Sequence, residues 1–182
     1  MSALPLFGTT GEIGAVLNGP DRRSPIVRAL ANDREVKPLD HLDNAVLARE
    51  RIVILAQPRA LGGAELVAFD AWVRRGGKAI ILADPMLLWP IDLPLGDPRR
   101  APSVTLLDPL LAHWGLALES PPPGGKPVRI ASVGGRDVAV AGAGHWQSDT
   151  SACIIGDEGL VAECRIGRGR VILIADADLL DE

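Results

Sequence analysis

Three segments of the chain are continuous apolar runs, and each ends on a polar residue. The runs are 52–56, 79–83 and 171–175, and the residues that close them are Gln57, Asp84 and Asp176. An unbroken apolar run of this length is typical of a strand buried on both faces, as in parallel sheets covered by helices. The pattern predicts a central parallel sheet with polar side chains gathered at its carboxyl edge.

A basic residue introduces each of the three runs: Arg51, Lys78 and Arg170. Between the first two runs, residues 61–77 carry apolar side chains at helical spacing, with charged residues on the opposite side. Gly76 and Gly77 supply the left-handed stop that ends a helix. Strand, helix and strand over about thirty residues predict a right-handed βαβ unit.

Shorter elements are predicted around this unit from caps, prolines and local periodicity. The predicted helices are 24–32, with Ser24 as N-cap and Pro25 at its first position, 43–49 and 106–114. The predicted strands are a first strand at 4–7 (or, as the alternative, at 13–17), an edge strand at 35–39 and a strand at 116–118. Residues 88–102 are predicted to form a long irregular loop.

After a proline-rich turn at 121–125 the pattern changes to short β segments separated by glycine-rich turns. These segments are 128–133, 138–141, 153–155 and 160–164. They predict antiparallel hairpins attached to the parallel core, so residues 121–165 form a hairpin-rich insertion or extension. We expect a single α/β domain over residues 1–182, with a parallel sheet and a small antiparallel β extension.

Composition limits the partners of the domain. The net charge is −4 and aromatic residues make up 3% of the chain. A chain with few stacking side chains and no clustered arginines is a poor candidate for nucleic-acid binding. No run reaches the length of a membrane span, and the first residues lack the basic and apolar regions of a signal peptide.

The remaining motifs give little support for catalysis. Gly8, Gly11 and Gly14 lack the strand and helix context and the Lys-Ser/Thr ending of a phosphate loop. Cys153 lies inside an apolar strand, away from the exposed basic surroundings that a reactive thiolate needs, so a pair with His145 is not expected to act as a nucleophile and base. Two buried thiols are the favoured interpretation of Cys153 and Cys164, and a hairpin disulfide is the alternative.

The candidate ligand-binding residues are Gln57, Asp84, Asp176 and Asp178. Ligands of open α/β sheets bind outside the carboxyl ends of the strands, where these side chains are expected. Structural capping of backbone N–H groups is the favoured role for the aspartates, and a ligand site or a Mg²⁺ or Ca²⁺ site are the alternatives. No motif in the chain requires a cofactor.

Three stretches in the same order resemble one known family. The first runs from 53–58 through the helix that follows it to Arg75-Gly76-Gly77-Lys78 and the strand that ends at Asp84-Pro85. The second is 107–118. The third runs from Gly167-Arg168-Gly169-Arg170 to Asp178. This chain resembles the soluble domain of gliding-motility-type ABC-transporter auxiliary proteins. The resemblance implies a three-layer, flavodoxin-like fold similar to class I glutamine amidotransferases.

The resemblance also implies a role. Amidotransferases place a nucleophilic cysteine on the turn where this chain has Asp84-Pro85, so glutamine hydrolysis is not expected. Family members are extracytoplasmic parts of anchored proteins that partner an ABC permease and ATPase. We therefore expect a noncatalytic ligand- or protein-binding domain on the periplasmic face of the inner membrane, cut from a larger protein. The alternatives are a metal-dependent hydrolase that uses the aspartates, or a structural domain that forms a homodimer.

Overall fold

The computed structural model describes residues 1–7, 23–94, 96–124 and 128–181. Its helices are α1 (Pro25–Ala31), α2 (Asn44–Leu47), α3 (Gly63–Arg74) and α4 (Asp108–His113). Its strands are β1 (Ile52–Ala56), β2 (Lys78–Leu82), β3 (Leu116–Glu119), β4 (Val128–Val133), β5 (Arg136–Ala141), β6 (His145–Ser148), β7 (Cys153–Gly156), β8 (Val161–Ile166) and β9 (Gly169–Ile174). Two 3₁₀ turns lie at Asp157–Gly159 and Asp178–Leu180.

The central sheet has five strands in the order β1-β2-β9-β8-β7. The three continuous apolar runs form β1, β2 and β9, which pair in parallel as predicted. β8 and β7 continue the same sheet in antiparallel orientation, so the sheet is mixed. The other strands form two separate antiparallel pairs, β3 with β6 and β4 with β5.

Helix α3 covers one face of the sheet. It begins where the Glu65 carboxylate accepts the backbone N–H of Gly62 (2.9 Å), as expected for the third residue of a helix. Phe69, Trp72 and Val73 are buried in one cluster with the inward-facing residues of β1, β2 and β9. Gly77 follows at a point where a Cβ atom would lie 2.5 Å from the Trp72 ring, so only glycine fits there.

A thinner layer covers part of the opposite face. Val27 of α1, the buried leucines Leu4 and Leu6, and Leu180 form a second apolar cluster with Ala56 and Leu82 near the carboxyl ends of the strands. Farther toward the amino ends of the strands this face opens to solvent. Ile52 is 43% exposed and Ile172 is 41% exposed.

Most predicted elements are confirmed, with shorter bounds for all four helices, and the 88–102 segment contains no helix or strand among its described residues. Two predicted strands are wrong. Residues 35–39 and 4–7 do not form strands. The free edge of β1 is partly occupied by Met1–Ala3, since Ala56 donates to the Met1 carbonyl (3.1 Å) and Ala3 donates to the Gln57 carbonyl (3.3 Å). Residues 13–17 and the glycines at 8, 11 and 14 lie outside the described residues.

The favoured interpretation of the cysteines as free thiols is also wrong. Cys153 and Cys164 form a disulfide between β7 and β8. The strand register places the two residues directly opposite each other, with their Cα atoms 4.1 Å apart. Spacing along the chain does not fix that register, which is why the sequence left both readings open.

Candidate functional site

The polar residues that follow the three parallel strands converge at the carboxyl edge, as the sequence predicted. Gln57 follows β1, Asp84 lies two residues after β2, and Asp176 lies two residues after β9. All three side chains are fully buried, and Asp178 is 9% exposed. Buried polar groups are stable only when their hydrogen-bonding capacity is used, so the partners of each group define what this edge can do.

Gln57 joins the end of β1 to the end of β2. Its side-chain oxygen accepts the backbone N–H of Asp84 (2.9 Å), and its amide donates to the carbonyls of Asp84 (3.3 Å) and Pro102 (3.0 Å). Its own φ is +39°, an unfavourable value for a residue with a Cβ. These three hydrogen bonds hold a strained backbone in place and attach the long loop to the sheet.

Asp84 joins the end of β2 to the end of β9. One carboxylate oxygen accepts the N–H of Met86 (2.7 Å), and the other accepts the N–H of Ala177 (2.9 Å). Burial raises the pKa of Asp84 to about 6, while these two hydrogen bonds favour the ionised form and oppose part of the rise. Both oxygens are therefore engaged with the backbone.

Asp176 performs a similar role at the end of β9. Its oxygens accept the N–H of Leu179 (2.7 Å), which starts the turn at 178–180, and the N–H of Ala141 (2.7 Å) at the end of β5. Burial raises the pKa of Asp176 to about 7, and the neighbouring carboxylates Asp84 and Asp178 add to the rise. This side chain therefore ties the end of β5 to the end of β9.

Asp178 holds the start of the long loop. One oxygen accepts the N–H of Leu88 (2.8 Å), and the other is buried without a hydrogen-bond partner in the described part of the chain. Burial raises the pKa of this carboxyl as well. An unpartnered oxygen is satisfied when the carboxyl is protonated or when it contacts a water molecule.

A cavity of about 540 Å³ adjoins this edge. Its polar lining comes from Arg129, His145 and Glu158. Its remaining walls come from residues 121–124, Met86, Val140 and residues 142–144. The His145 ring lies 2.9 Å from the Glu119 carboxylate. Gly142, at φ +66°, has no room for a Cβ, which would lie 2.5 Å from the Met86 carbonyl.

The structure brings together all four predicted site residues. Their side chains form hydrogen bonds with backbone N–H and carbonyl groups. The polar side chains that line the neighbouring cavity are instead Arg129, His145 and Glu158, which were not predicted from the sequence as site residues. Their only signal was proximity to the glycine-rich turns of the hairpin region. Cys153 has no thiol to act as a nucleophile, since it is bonded to Cys164.

Among residues 1–7, 23–94, 96–124 and 128–181, no group of three or more His, Cys, Asp and Glu side chains is arranged to hold a metal ion. The same residues contain no helix that is long and apolar enough to cross a bilayer.

Comparison with known proteins gives fold similarity alone. No protein-family model and no curated protein matches the chain. Among solved structures, the mmIFT52 N-terminal domain matches with a TM-score of 0.59 and 12% identity, over 85% of this chain and 79% of that one.

Two glycosidases also match, each over a small part of its length. The exo-β-1,4-mannosidase Op5Man5 from Opitutaceae bacterium strain TAV5 has a TM-score of 0.48 and 14% identity, over 79% of this chain and 22% of that one. The β-galactosidase from Bacillus circulans sp. alkalophilus has a TM-score of 0.43 and 15% identity, over 73% and 21%. The chain thus spans about a fifth of the length of these enzymes, and it shares an α/β fold with the mmIFT52 domain.

Proposed function

We propose that this chain is a noncatalytic ligand- or protein-binding domain of an ABC-type transport auxiliary protein. One observation carries the proposal: the turn after β2, where a related amidotransferase would hold its nucleophile, carries Asp84, and both oxygens of Asp84 accept backbone N–H groups. The two hydrogen bonds hold this carboxylate against the backbone of the neighbouring loops, and the same is true of Asp176.

We also propose a three-layer fold for this chain. A three-layer, flavodoxin-like or class I amidotransferase-like arrangement is supported by α3 on one face of the parallel strands and α1 on the other. The order of the three motifs that resemble the transporter-auxiliary family, and their placement on β1, α3, β2 and β9, support membership in that family.

The binding site that we propose is the cavity beside the carboxyl edge. Its rigid floor is the set of backbone segments that Asp84 and Asp176 hold together, and its polar groups are Arg129, His145 and Glu158. A cavity of this size with a few convergent polar groups is typical of a ligand-binding site. Binding there leaves the buried carboxylates in their structural role.

The expected partners are the permease and ATPase subunits of the transporter, and the expected location is the periplasmic face of the inner membrane. The disulfide between β7 and β8 supports an oxidising compartment, because such bonds persist in secreted and periplasmic proteins.

Co-purification from membranes tests the proposal. Full-length tagged protein is expressed with the permease and ATPase encoded beside its gene, and both subunits are expected in the eluate. Arg129→Ala with His145→Ala is expected to reduce their recovery, while Arg136→Ala, an exposed arginine of the same hairpin, serves as the matched control. Recovery of the protein alone, or a gene without transporter genes as neighbours, contradicts the proposal, and a stable homodimer in light scattering supports a self-associating domain instead.

A further inference from the structure

The amino-terminal half of the open sheet face carries a row of basic side chains. Lys78, Arg170 and Arg165 lie on three neighbouring strands, β2, β9 and β8, and the register places each directly beside the next. All three are exposed, while their sequence neighbours Ala79, Val171 and Cys164 are buried on the opposite face. We call these three residues the basic row.

Ion pairs do not neutralise the basic row within the described part of the chain. None of the three side chains forms an ion pair with another described residue, although the chain as a whole has a net charge of −4. Like charges directly opposite each other on neighbouring strands destabilise a sheet. The arrangement therefore costs stability in the isolated domain, and an anionic partner would remove that cost.

An apolar row lies beside the basic one, two residues farther along β2 and β9, and it extends onto β1. Ile54, Ile80 and Ile172 are paired across β1, β2 and β9, and we call them the isoleucine row. Ile172 is 41% exposed. Glu163, opposite Ile172 on β8, is the acidic residue nearest in register. Two parallel rows of different character make this face amphipathic.

Two members of the isoleucine row, Ile54 and Ile80, line a second cavity of about 350 Å³. Ile52, Ile54, Ile80 and Ile174 form its sheet side, and Leu30 and Val36 lie across from them. A concave apolar site accepts an inserted side chain of a protein partner, which a flat bilayer surface cannot provide. Three cations alone also attract a protein only weakly to an anionic membrane.

We propose that this face docks an acidic amphipathic helix of a partner protein. Neighbouring strands are about 4.8 Å apart and a helix rises about 5.4 Å per turn, so a helix lying across the strands presents one acidic side chain per turn to the basic row. Its apolar stripe then covers the isoleucine row, with one side chain in the cavity as an anchor. This surface is separate from the carboxyl-edge cavity and does not depend on the proposed function.

A labelled peptide of roughly 15 residues provides the probe, with glutamates along one helical stripe and leucines along the next. A control peptide of the same length carries lysine in place of each glutamate. Fluorescence anisotropy with the whole chain is expected to show binding of the glutamate peptide that weakens as salt is added, and little binding of the lysine peptide.

Charge reversal supplies the decisive comparison. The triple variant Lys78→Glu, Arg165→Glu, Arg170→Glu is expected to lose about tenfold or more in affinity for the glutamate peptide and to gain affinity for the lysine peptide. Arg28→Glu, Arg49→Glu, Arg136→Glu makes the same change in net charge on exposed arginines elsewhere, and it is expected to bind like the parent. A triple glutamine variant of the basic row replaces the reversal if that variant does not fold.

Absence of glutamate-peptide binding, or equal loss in both triple variants, would overturn the proposal. Binding to vesicles of phosphatidylserine and phosphatidylcholine is measured as the final comparison. Binding to these vesicles that depends on the basic row, without peptide binding, would assign the face to an anionic membrane and reject the helix.

Discussion

At the residue scale, the carboxyl edge is organised by four side chains that each connect two parts of the backbone. The sequence predicted that Gln57, Asp84, Asp176 and Asp178 would meet, because the ends of parallel strands share one edge. It did not predict their partners. Those partners lie in loops such as 85–105, where no periodicity fixes the path of the chain.

Replacing Gln57 with leucine is expected to lower the free energy of unfolding by about 2–3 kcal/mol, because the N–H of Asp84 and two carbonyls lose their partner. Urea denaturation measures the change. Gln147→Leu, at an exposed position of β6, is the matched control and is expected to stay within about 0.5 kcal/mol of the parent. Equal effects at both positions would show that the Gln57 hydrogen bonds contribute little.

The buried carboxylates predict an inverted pH dependence of stability. The folded pKa of Asp176 is about 7, above its ordinary value of 3.8. The folded state therefore holds the proton more tightly, and this contribution is fully present below pH 4 and lost as the pH rises through 7. Each unit of pKa difference corresponds to about 1.4 kcal/mol. The pKa values of Glu65 and Asp97 are lowered to about 2, so these two groups change the stability only below their ordinary pKa values of 4.5 and 3.8.

Asp176→Asn is accordingly expected to flatten the fall in stability between pH 4 and pH 7, measured by urea denaturation across that range. Asp137→Asn, an exposed residue of β5, should keep the slope of the parent. An unchanged slope in Asp176→Asn would mean that Asp176 is ionised throughout this range in the folded protein.

At the scale of elements, the three continuous apolar strands and the helix between two of them were predictable because burial dictates their pattern. β6 was not, since His145-Trp146-Gln147-Ser148 has no alternation and buries mainly Trp146. Residues 35–39 do not form the predicted edge strand. The backbone of residues 1–3 instead forms hydrogen bonds with the edge of β1. Strand pairing depends on contacts that local sequence does not encode.

The edge strand β7 is covalently fixed to β8. Removing the bond with Cys153→Ala and Cys164→Ala is expected to cost about 2–3 kcal/mol of unfolding free energy, given the short loop it closes. Urea denaturation compares the variant with the parent. Titration of two thiols in the unfolded, unreduced parent protein would contradict the disulfide directly.

At the scale of the molecule, the two edges of the sheet differ in chemistry. The carboxyl edge buries its carboxylates and uses them to hold the loops, while the amino half of the open face exposes unpaired cations. The sequence showed a basic residue before each apolar run and a polar one after it, but only the register brought Arg165 beside Arg170. A binding role is consistent with both surfaces.

Hydrogen exchange at single amides measures whether the buried carboxylates of Asp84 and Asp176 are engaged with the backbone. The amides of Met86, Ala177, Leu179 and Ala141, which donate to Asp84 and Asp176, are expected to exchange slowly in the free protein. The Val46 amide, which donates to the exposed carboxylate of Asp43, is the matched control and is expected to exchange fast. Fast exchange at all five amides would mean that the carboxylates of Asp84 and Asp176 are not engaged with the backbone, and it would contradict their structural role.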